Sequence, residues 1–96
     1  MSQRDTVVVY DIAAPDRLRR VYKIMQGAGQ HVQKSVFRCT LSGRSRQELL
    51  KALEGVIDPR EDQVLFIDLG PLDLEAKRVE YLGLRYEPES RGPIIL

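Results

Sequence analysis

Cysteine, histidine and tryptophan are nearly absent from this chain of 96 residues, which has one cysteine, one histidine and no tryptophan. Because Cys39 has no second cysteine to pair with, an internal disulfide and a cysteine-based metal cluster are both excluded. No segment approaches the roughly 20 apolar residues of a membrane span. The first apolar segment, residues 6–12, is too short for a signal sequence. We therefore expect a cytoplasmic protein without membrane contact.

The length and composition of the chain are those of one ordinary globular domain. Apolar residues make up 43% of the sequence and charged residues 30%, and no segment is of low complexity. A chain this short has no room for a second hydrophobic core. We predict a single domain over residues 1–86 and a tail over residues 87–96 that ends in the apolar sequence Pro-Ile-Ile-Leu.

The net charge of +1 indicates no particular partner, but the charges are distributed unevenly along the chain. Residues 1–46 carry nine Lys and Arg against three Asp, a net charge of +6, whereas residues 47–96 carry six bases against eleven acids, a net charge of −5. Such asymmetry is a hint of an anionic partner on one face. The alternative is that the two halves interleave in the fold and the charges mix, since halves of a sequence are not surfaces.

Hydrophobic periodicity predicts a strand followed by a helix at the start of the chain. The β-branched run at residues 6–12 predicts a strand that is buried on both faces and lies near the centre of a sheet. Pro15 suits the first turn of the next helix, where its missing N–H is not needed. Gly27-Ala-Gly29 ends that helix.

A second strand and a second helix are predicted next. Residues 31–41 indicate one strand, although the segment is long enough to bend into two and its buried face changes near residue 36. Ser45 and Glu48 have the spacing of a capping box that opens the helix. Asp58-Pro59 marks the turn that ends it.

Two more strands complete the pattern, a buried one over residues 62–69 and a last one over residues 78–86. The order β-α-β(β)-α-β with a trailing strand predicts an α+β fold of the ferredoxin-like, split βαβ type.

Two stretches of the sequence resemble a known family. They are Val-Val-Tyr-Asp-Ile over residues 8–12, followed by a basic helix, and Gly-Gln-His-Val-Gln-Lys-Ser-Val-Phe over residues 29–37. Their spacing is similar to that of CRISPR-associated protein two, the smaller of the two near-universal subunits of CRISPR adaptation. The likeness runs over residues 6–69, about two thirds of the chain, and the Val-Gln-Lys-Ser-Val-Phe segment is its more specific part.

The resemblance implies a ferredoxin-like homodimer in which the C-terminal tail packs on the partner subunit. It also implies a Mg²⁺-dependent endonuclease of RNA or DNA that assembles with the larger integrase subunit during spacer acquisition. By the same resemblance, Asp11 is the metal-binding and catalytic acid. The residues implied for nucleic-acid binding are Tyr10, Arg17, Arg20, Ser35, Phe37 and Arg38, the last standing where many members have Glu.

Without the resemblance, these residues have two interpretations. Mg²⁺ is commonly bound by one or two carboxylates together with waters and phosphates, and a two-fold axis at that sheet edge would bring two copies of Asp11 together. Alternatively, Asp11 caps the turn into the helix. Arg17, Arg20 and Lys23 likewise form either a phosphate-tracking stripe or an ordinary solvated helix face. His31 is expected on the surface, and Cys39 in the core.

Three functions remain open at this point. The first is a nuclease of CRISPR adaptation, and the second is a non-catalytic dimeric scaffold that bridges integrase subunits on DNA. The third is a toxin-like ribonuclease of similar fold that acts alone.

Overall fold

A computed structural model describes residues 3–73, 80, 82 and 83 of the chain. Its elements are the strands β1 (Arg4–Asp11), β2 (Gln30–Gln33), β3 (Val36–Leu41) and β4 (Gln63–Pro71) and the helices α1 (Pro15–Ala28) and α2 (Gly43–Glu54). Neither of these two helices is long and apolar enough to cross a membrane. The tail predicted over residues 87–96, and most of the strand predicted over residues 78–86, lie outside the described residues.

The four strands form one antiparallel sheet in the order β2-β3-β1-β4. This order arises when a split βαβ unit places β3 between the two strands that α1 connects, and α2 then leads β4 to the other side of β1. The predicted α+β, ferredoxin-like fold is confirmed. β1 lies inside the sheet, between β3 and β4, as its β-branched sequence predicted.

The hydrophobic core lies between the helices and one face of the sheet. Alternate residues of β1 and β3 point into it, because successive side chains of a strand point to opposite faces. The buried apolar residues are Val8, Tyr10, Ile12, Val21, Tyr22, Met25, Phe37, Cys39, Leu41, Leu49 and Leu53. The prediction that β1 is buried on both faces is only half right, since Val7 and Val9 on the other face are half-buried.

The face of the sheet opposite the helices has an apolar part beside the Asp5–Arg38 pair. Val7 of β1 lies opposite Ile67 of β4, and Val9 lies between Leu65 of β4 and Val36 of β3. Leu65 and Ile67 are each 45% exposed, so the prediction of a fully buried strand at residues 62–69 is wrong for the described part of the chain. We call these five residues the open sheet face.

The single strand predicted over residues 31–41 is an antiparallel hairpin. β2 pairs with β3, Lys34 and Ser35 form the turn, and the register shifts between His31 and Gln33. The turn and the shift explain why the buried face changes near residue 36. The turn has no Gly, Asn, Asp or Pro, the residues that usually mark a hairpin, so the sequence did not reveal it.

The second helix begins one turn earlier than the predicted capping box. Ser42 is the N-cap: its hydroxyl accepts a hydrogen bond from the Ser45 N–H at 3.1 Å, and the Ser42 N–H donates to the Ser45 hydroxyl at 2.8 Å. Ser45 thus takes the place where a capping box usually has Glu or Gln. Glu48 instead forms an ion pair with Arg44.

His31 lies in the core, so its predicted surface position is wrong. Its ring stacks on Phe37 with centroids 4.5 Å apart. Nε2 lies 2.7 Å from the Lys34 carbonyl oxygen, which only accepts, so Nε2 carries the proton. In the neutral ring Nδ1 therefore accepts from the Tyr22 hydroxyl at 3.3 Å. Hydrogen bonds at both nitrogens make burial of this polar ring possible.

Gly29 ends α1 against β3, where a side chain has no room. A Cβ atom there would lie 2.5 Å from the Sγ of Cys39 and 2.6 Å from the Arg38 carbonyl oxygen. Cys39 is buried as predicted, and burial raises its thiol pKa to about 11, which makes it a packing residue.

We expect Gly29→Ala to lower the free energy of unfolding by about 2 kcal/mol, because overpacking forces the strand away from the helix. Gly27→Ala is the matched control, since a Cβ at Gly27 meets nothing within 4 Å. In an exposed helix position, alanine should raise stability by about 0.5–1 kcal/mol. Urea unfolding measures both, and equal stabilities would contradict the crowding at Gly29.

Candidate metal and nucleic-acid site

Asp11 is the last residue of β1 and pairs with Gln63 of β4. The alternation of the strand places it on the same side of the sheet as Val7 and Val9, at the end of the open sheet face. Asp11 is exposed, and no described residue donates a hydrogen bond to its carboxylate or forms an ion pair with it. The carboxylate is therefore available to a ligand.

Asp11 does not cap the helix that follows. The N-cap of α1 is Ala14, and no side chain caps it. The turn is instead held by Asp62, whose Oδ1 accepts a hydrogen bond from the Ala13 N–H at 2.9 Å. The interpretation of Asp11 as the cap is therefore wrong, and the turn is held by a carboxylate 49 residues beyond Ala13 in the chain.

The Asp62 side chain is fully buried, and both of its carboxylate oxygens accept hydrogen bonds. Besides the Ala13 N–H, it accepts from the Asp58 N–H at 2.8 Å and from Arg17, whose Nε lies 2.7 Å from Oδ2. The Arg17 guanidinium, chiefly, holds the pKa of Asp62 well below its usual range. Asp62 does not stand out in the sequence, because nothing local marks an acid that binds a distant loop.

Arg17 has two acidic partners within the chain. Its guanidinium also donates to Glu61 at 3.0 Å, and the hydrogen bond with Asp62 is the main cause of a pKa above the ordinary value for arginine. Its side chain is 21% exposed. The nucleic-acid contact predicted for Arg17 stays a prediction, and the charge is already balanced by these two carboxylates.

Tyr10 and Ser35 lie beside Asp11, whereas Phe37 lies below it in the core. The Tyr10 N–H donates to the Ser35 carbonyl oxygen at 3.1 Å, which closes the sheet at the hairpin turn. Tyr10 and Phe37 are buried, with ring centroids 6.3 Å apart. Stacking of either ring on a base stays a prediction that would require the core to open.

The two remaining arginines predicted to bind nucleic acid, Arg20 and Arg38, differ in exposure and in pairing. Arg20 is exposed on α1, and no described residue pairs with it. Arg38 binds the buried Asp5 through two hydrogen bonds of 2.9 and 2.6 Å. It lies opposite Val7, about 13 Å along the strand from Asp11. Its predicted role in binding nucleic acid is likewise untested.

The described residues contain no group of three or more His, Cys, Asp and Glu side chains that could hold a metal ion. At the end of β1, Asp11 offers an exposed carboxylate. Mg²⁺ needs only one or two carboxylates, because it keeps several waters and binds substrate phosphates. A Mg²⁺ ion at Asp11 would therefore need its remaining oxygens from a second protomer, a nucleic acid or water.

Comparisons with known proteins agree with this fold. A family model described as CRISPR associated protein Cas2 matches residues 5–76. A Rhodospirillum rubrum protein named CRISPR-associated endoribonuclease Cas2 1 is 47% identical over 90 residues, which cover 94% of this chain and 88% of that protein. A Geobacter sulfurreducens protein named CRISPR-associated endoribonuclease Cas2 is 34% identical and covers 94% and 95%.

Solved structures show the same similarity. Cas2 of Streptococcus pyogenes superposes with a TM-score of 0.72 at 34% identity, covering 82% of this chain and 99% of that chain. A hypothetical protein from Thermus thermophilus superposes with a TM-score of 0.76 at 29% identity, covering 91% and 99%. The resemblance carried by residues 8–12 and 29–37 is confirmed, and the chain belongs to the Cas2 family of CRISPR-associated proteins.

Proposed function

We propose that this chain is a cytoplasmic, metal-dependent endonuclease of CRISPR adaptation that acts as a homodimer on RNA or DNA. The observation that carries the proposal is the exposed carboxylate of Asp11, which has no partner among the described residues and ends β1 on the open sheet face. The relatives from Rhodospirillum rubrum and Geobacter sulfurreducens, which are named endoribonucleases, support the same chemistry.

The open sheet face supports the homodimer. Its five residues are all aliphatic, and the helices contribute their apolar residues to the other side of the sheet. Two copies that pack these faces together would remove the half-exposed Leu65 and Ile67 from water. Because Asp11 lies on the same side of the sheet, a two-fold axis that passes near the end of β1 would bring both Asp11 carboxylates toward one site.

The two Asp11 carboxylates are the proposed ligands of Mg²⁺. When bound, Mg²⁺ activates water and stabilises the negative charge that grows on the phosphodiester. Asp11 orients the site, since its main chain is held by pairing with Gln63. The backbone amides of Tyr10 and Ala13 already donate within the chain, so these two are not available to a phosphate.

The exposed face of α1 supports binding of the nucleic-acid backbone. Arg19, Arg20 and Lys23 are exposed there. Lys23 is four residues from Arg19 and three from Arg20, so it lies beside both on the helix surface. Basic side chains that contact phosphates bind without reading sequence. Arg20, the member predicted from the sequence, has its charge available, in contrast to Arg17.

We expect Arg20→Glu to weaken binding of unrelated RNA and DNA sequences alike, by about tenfold at low salt, and to reduce the salt dependence of binding by about one phosphate contact. Fluorescence anisotropy over a salt series measures both. Lys51→Glu, an equal charge change at an exposed position of α2, is the control. Equal losses in the two variants would show that net charge, and not the α1 face, governs binding.

The direct test of the proposed function is cleavage by the purified protein. Fractions across the size-exclusion peak of the protein are incubated with each of three substrates, in Mg²⁺ or in EDTA. The substrates are single-stranded RNA, single-stranded DNA and duplex DNA. We expect cleavage that follows the protein peak and stops with EDTA. Binding without cleavage of any substrate would overturn the nuclease proposal.

A non-catalytic scaffold is the second candidate. It is favoured because the described residues contain no group of three or more side chains that could hold a metal ion. In that case the homodimer bridges copies of the larger CRISPR integrase subunit on DNA. Copurification with that subunit, together with integration that persists without Asp11, would support the scaffold.

A further inference from the structure

The loop from β1 to α1, residues 12–14, is held by a carboxylate that belongs to neither element. Asp62 is fully buried and bonds to three segments at once: the Ala13 N–H in the loop, the Arg17 guanidinium in α1 and the Asp58 N–H in the turn before β4. The loop therefore cannot move relative to β4 without breaking hydrogen bonds to an ionised, buried group, which is costly.

The main chain is held at Asp11 itself and again two residues later. Asp11 itself pairs with Gln63, the residue next to Asp62, and Ala13, two residues later, is bound by the Asp62 carboxylate. A ligand must be held within about 0.5 Å of its productive position to keep its metal. The contacts that set the position of Asp11 thus converge on residues 62 and 63.

We propose that Asp62 and Arg17 are positioning residues that fix the main chain around Asp11, and hence the place of its carboxylate and the metal affinity of the site. This inference rests on the proposed function, because it takes Asp11 as the metal ligand. It assigns Arg17 a role different from phosphate binding: its guanidinium orients Asp62 through two hydrogen bonds, of 2.7 and 3.2 Å, and the phosphate contact falls to Arg20.

Strand β4 offers a control for these substitutions. Asp68 of β4 also forms an ion pair with an arginine, Arg4, with Nη2 and Oδ2 2.9 Å apart. This pair lies at the opposite end of β1 from Asp11, and both side chains are about half exposed. Asp68→Asn therefore removes an Asp–Arg ion pair, a more exposed one than Asp62–Arg17, without touching the loop after Asp11.

The test is metal binding in the absence of substrate, with Mn²⁺ as the probe and electron paramagnetic resonance as the measurement. It compares the dimeric wild type with four variants, Asp11→Asn, Asp62→Asn, Arg17→Lys and Asp68→Asn. Loss of a group that orients a metal ligand typically costs 10–100-fold in metal affinity. We expect Asp62→Asn to raise the Mn²⁺ dissociation constant by about tenfold or more, and Asp68→Asn to leave it unchanged. Amide hydrogen exchange should become faster at Ala13 in Asp62→Asn alone.

Arg17→Lys keeps the positive charge but loses the planar guanidinium that binds both carboxylate oxygens, so it should weaken Mn²⁺ binding less than Asp62→Asn does. It should also stay folded, even if Asp62→Asn unfolds the protein. Wild-type Mn²⁺ affinity in both Asp62→Asn and Arg17→Lys, with binding lost in Asp11→Asn, would overturn the positioning role and leave the proposed function standing. Unchanged binding in Asp11→Asn would instead overturn the proposed function and the inference with it.

Discussion

Asp11→Asn is expected to abolish Mg²⁺-dependent cleavage while the protein keeps its fold and its dimer. Asparagine has the shape of aspartate but no charge, so it removes the metal ligand and little else. Because no described residue binds the Asp11 carboxylate, the fold loses no contact. Metal-ion catalysis contributes several kcal/mol, so we expect a fall in kcat/KM of about 10³-fold or more.

Cleavage of a labelled RNA by matched preparations measures this effect, with circular dichroism and light scattering as checks of fold and assembly. Asp16→Asn is the control, since Asp16 is an exposed acid only five residues later, in the first turn of α1. Thermal stability of Asp11→Asn should equal or slightly exceed that of the wild type without metal, because two like charges in a dimer repel. Undiminished cleavage by Asp11→Asn would point to a contaminating nuclease.

Ile67→Asp is expected to dissociate the proposed homodimer. Ile67 lies on the open sheet face opposite Val7 and is 45% exposed in the protomer. In an isologous interface the substitution occurs twice, and each carboxylate would be buried among aliphatic side chains without a partner. We expect the dimer dissociation constant to rise by about 100-fold or more, measured by analytical ultracentrifugation.

The fold of the protomer should survive, since Ile67 lies outside the core between the helices and the sheet. Ala52→Asp, which places an acid at an exposed position of α2, is the control and should remain dimeric. A wild-type protein that is monomeric at micromolar concentration, or an Ile67→Asp variant that stays dimeric, would exclude this face as the interface. Loss of cleavage together with the dimer would further support a site shared between two Asp11 residues.

Local patterns in the sequence were enough to predict most of the elements. Pro15 marked the start of α1, and the alternation of Phe37, Cys39 and Leu41 identified the buried face of β3. These predictions succeed because the period of a strand or helix and the burial of its apolar face are properties of neighbouring residues. The motif around Asp11 indicated the family for a related reason, since its residues are adjacent in the chain.

Partners distant in the sequence escaped this reasoning. Burial of His31 depends on Tyr22 from α1 and on the hairpin turn at Lys34, and neither contact is visible in a local pattern. The charges show the same limit. Arg17 and Arg38 are predicted to bind nucleic acid, and the structure also pairs them with Asp62 and Asp5, which lie 45 and 33 residues away in the sequence.

The sequence by itself determined the α+β class, the central place of β1, the core face of β3 and the family, because each rests on short-range periodicity or on a contiguous motif. Only the tertiary structure decided which charges are available. It exposes Asp11 and Arg20, and it encloses Asp62 and Asp5 with their arginines. The reason is physical: a buried carboxylate requires an opposite charge and hydrogen-bond donors close in space, and the folded sheet selects which distant residues supply them.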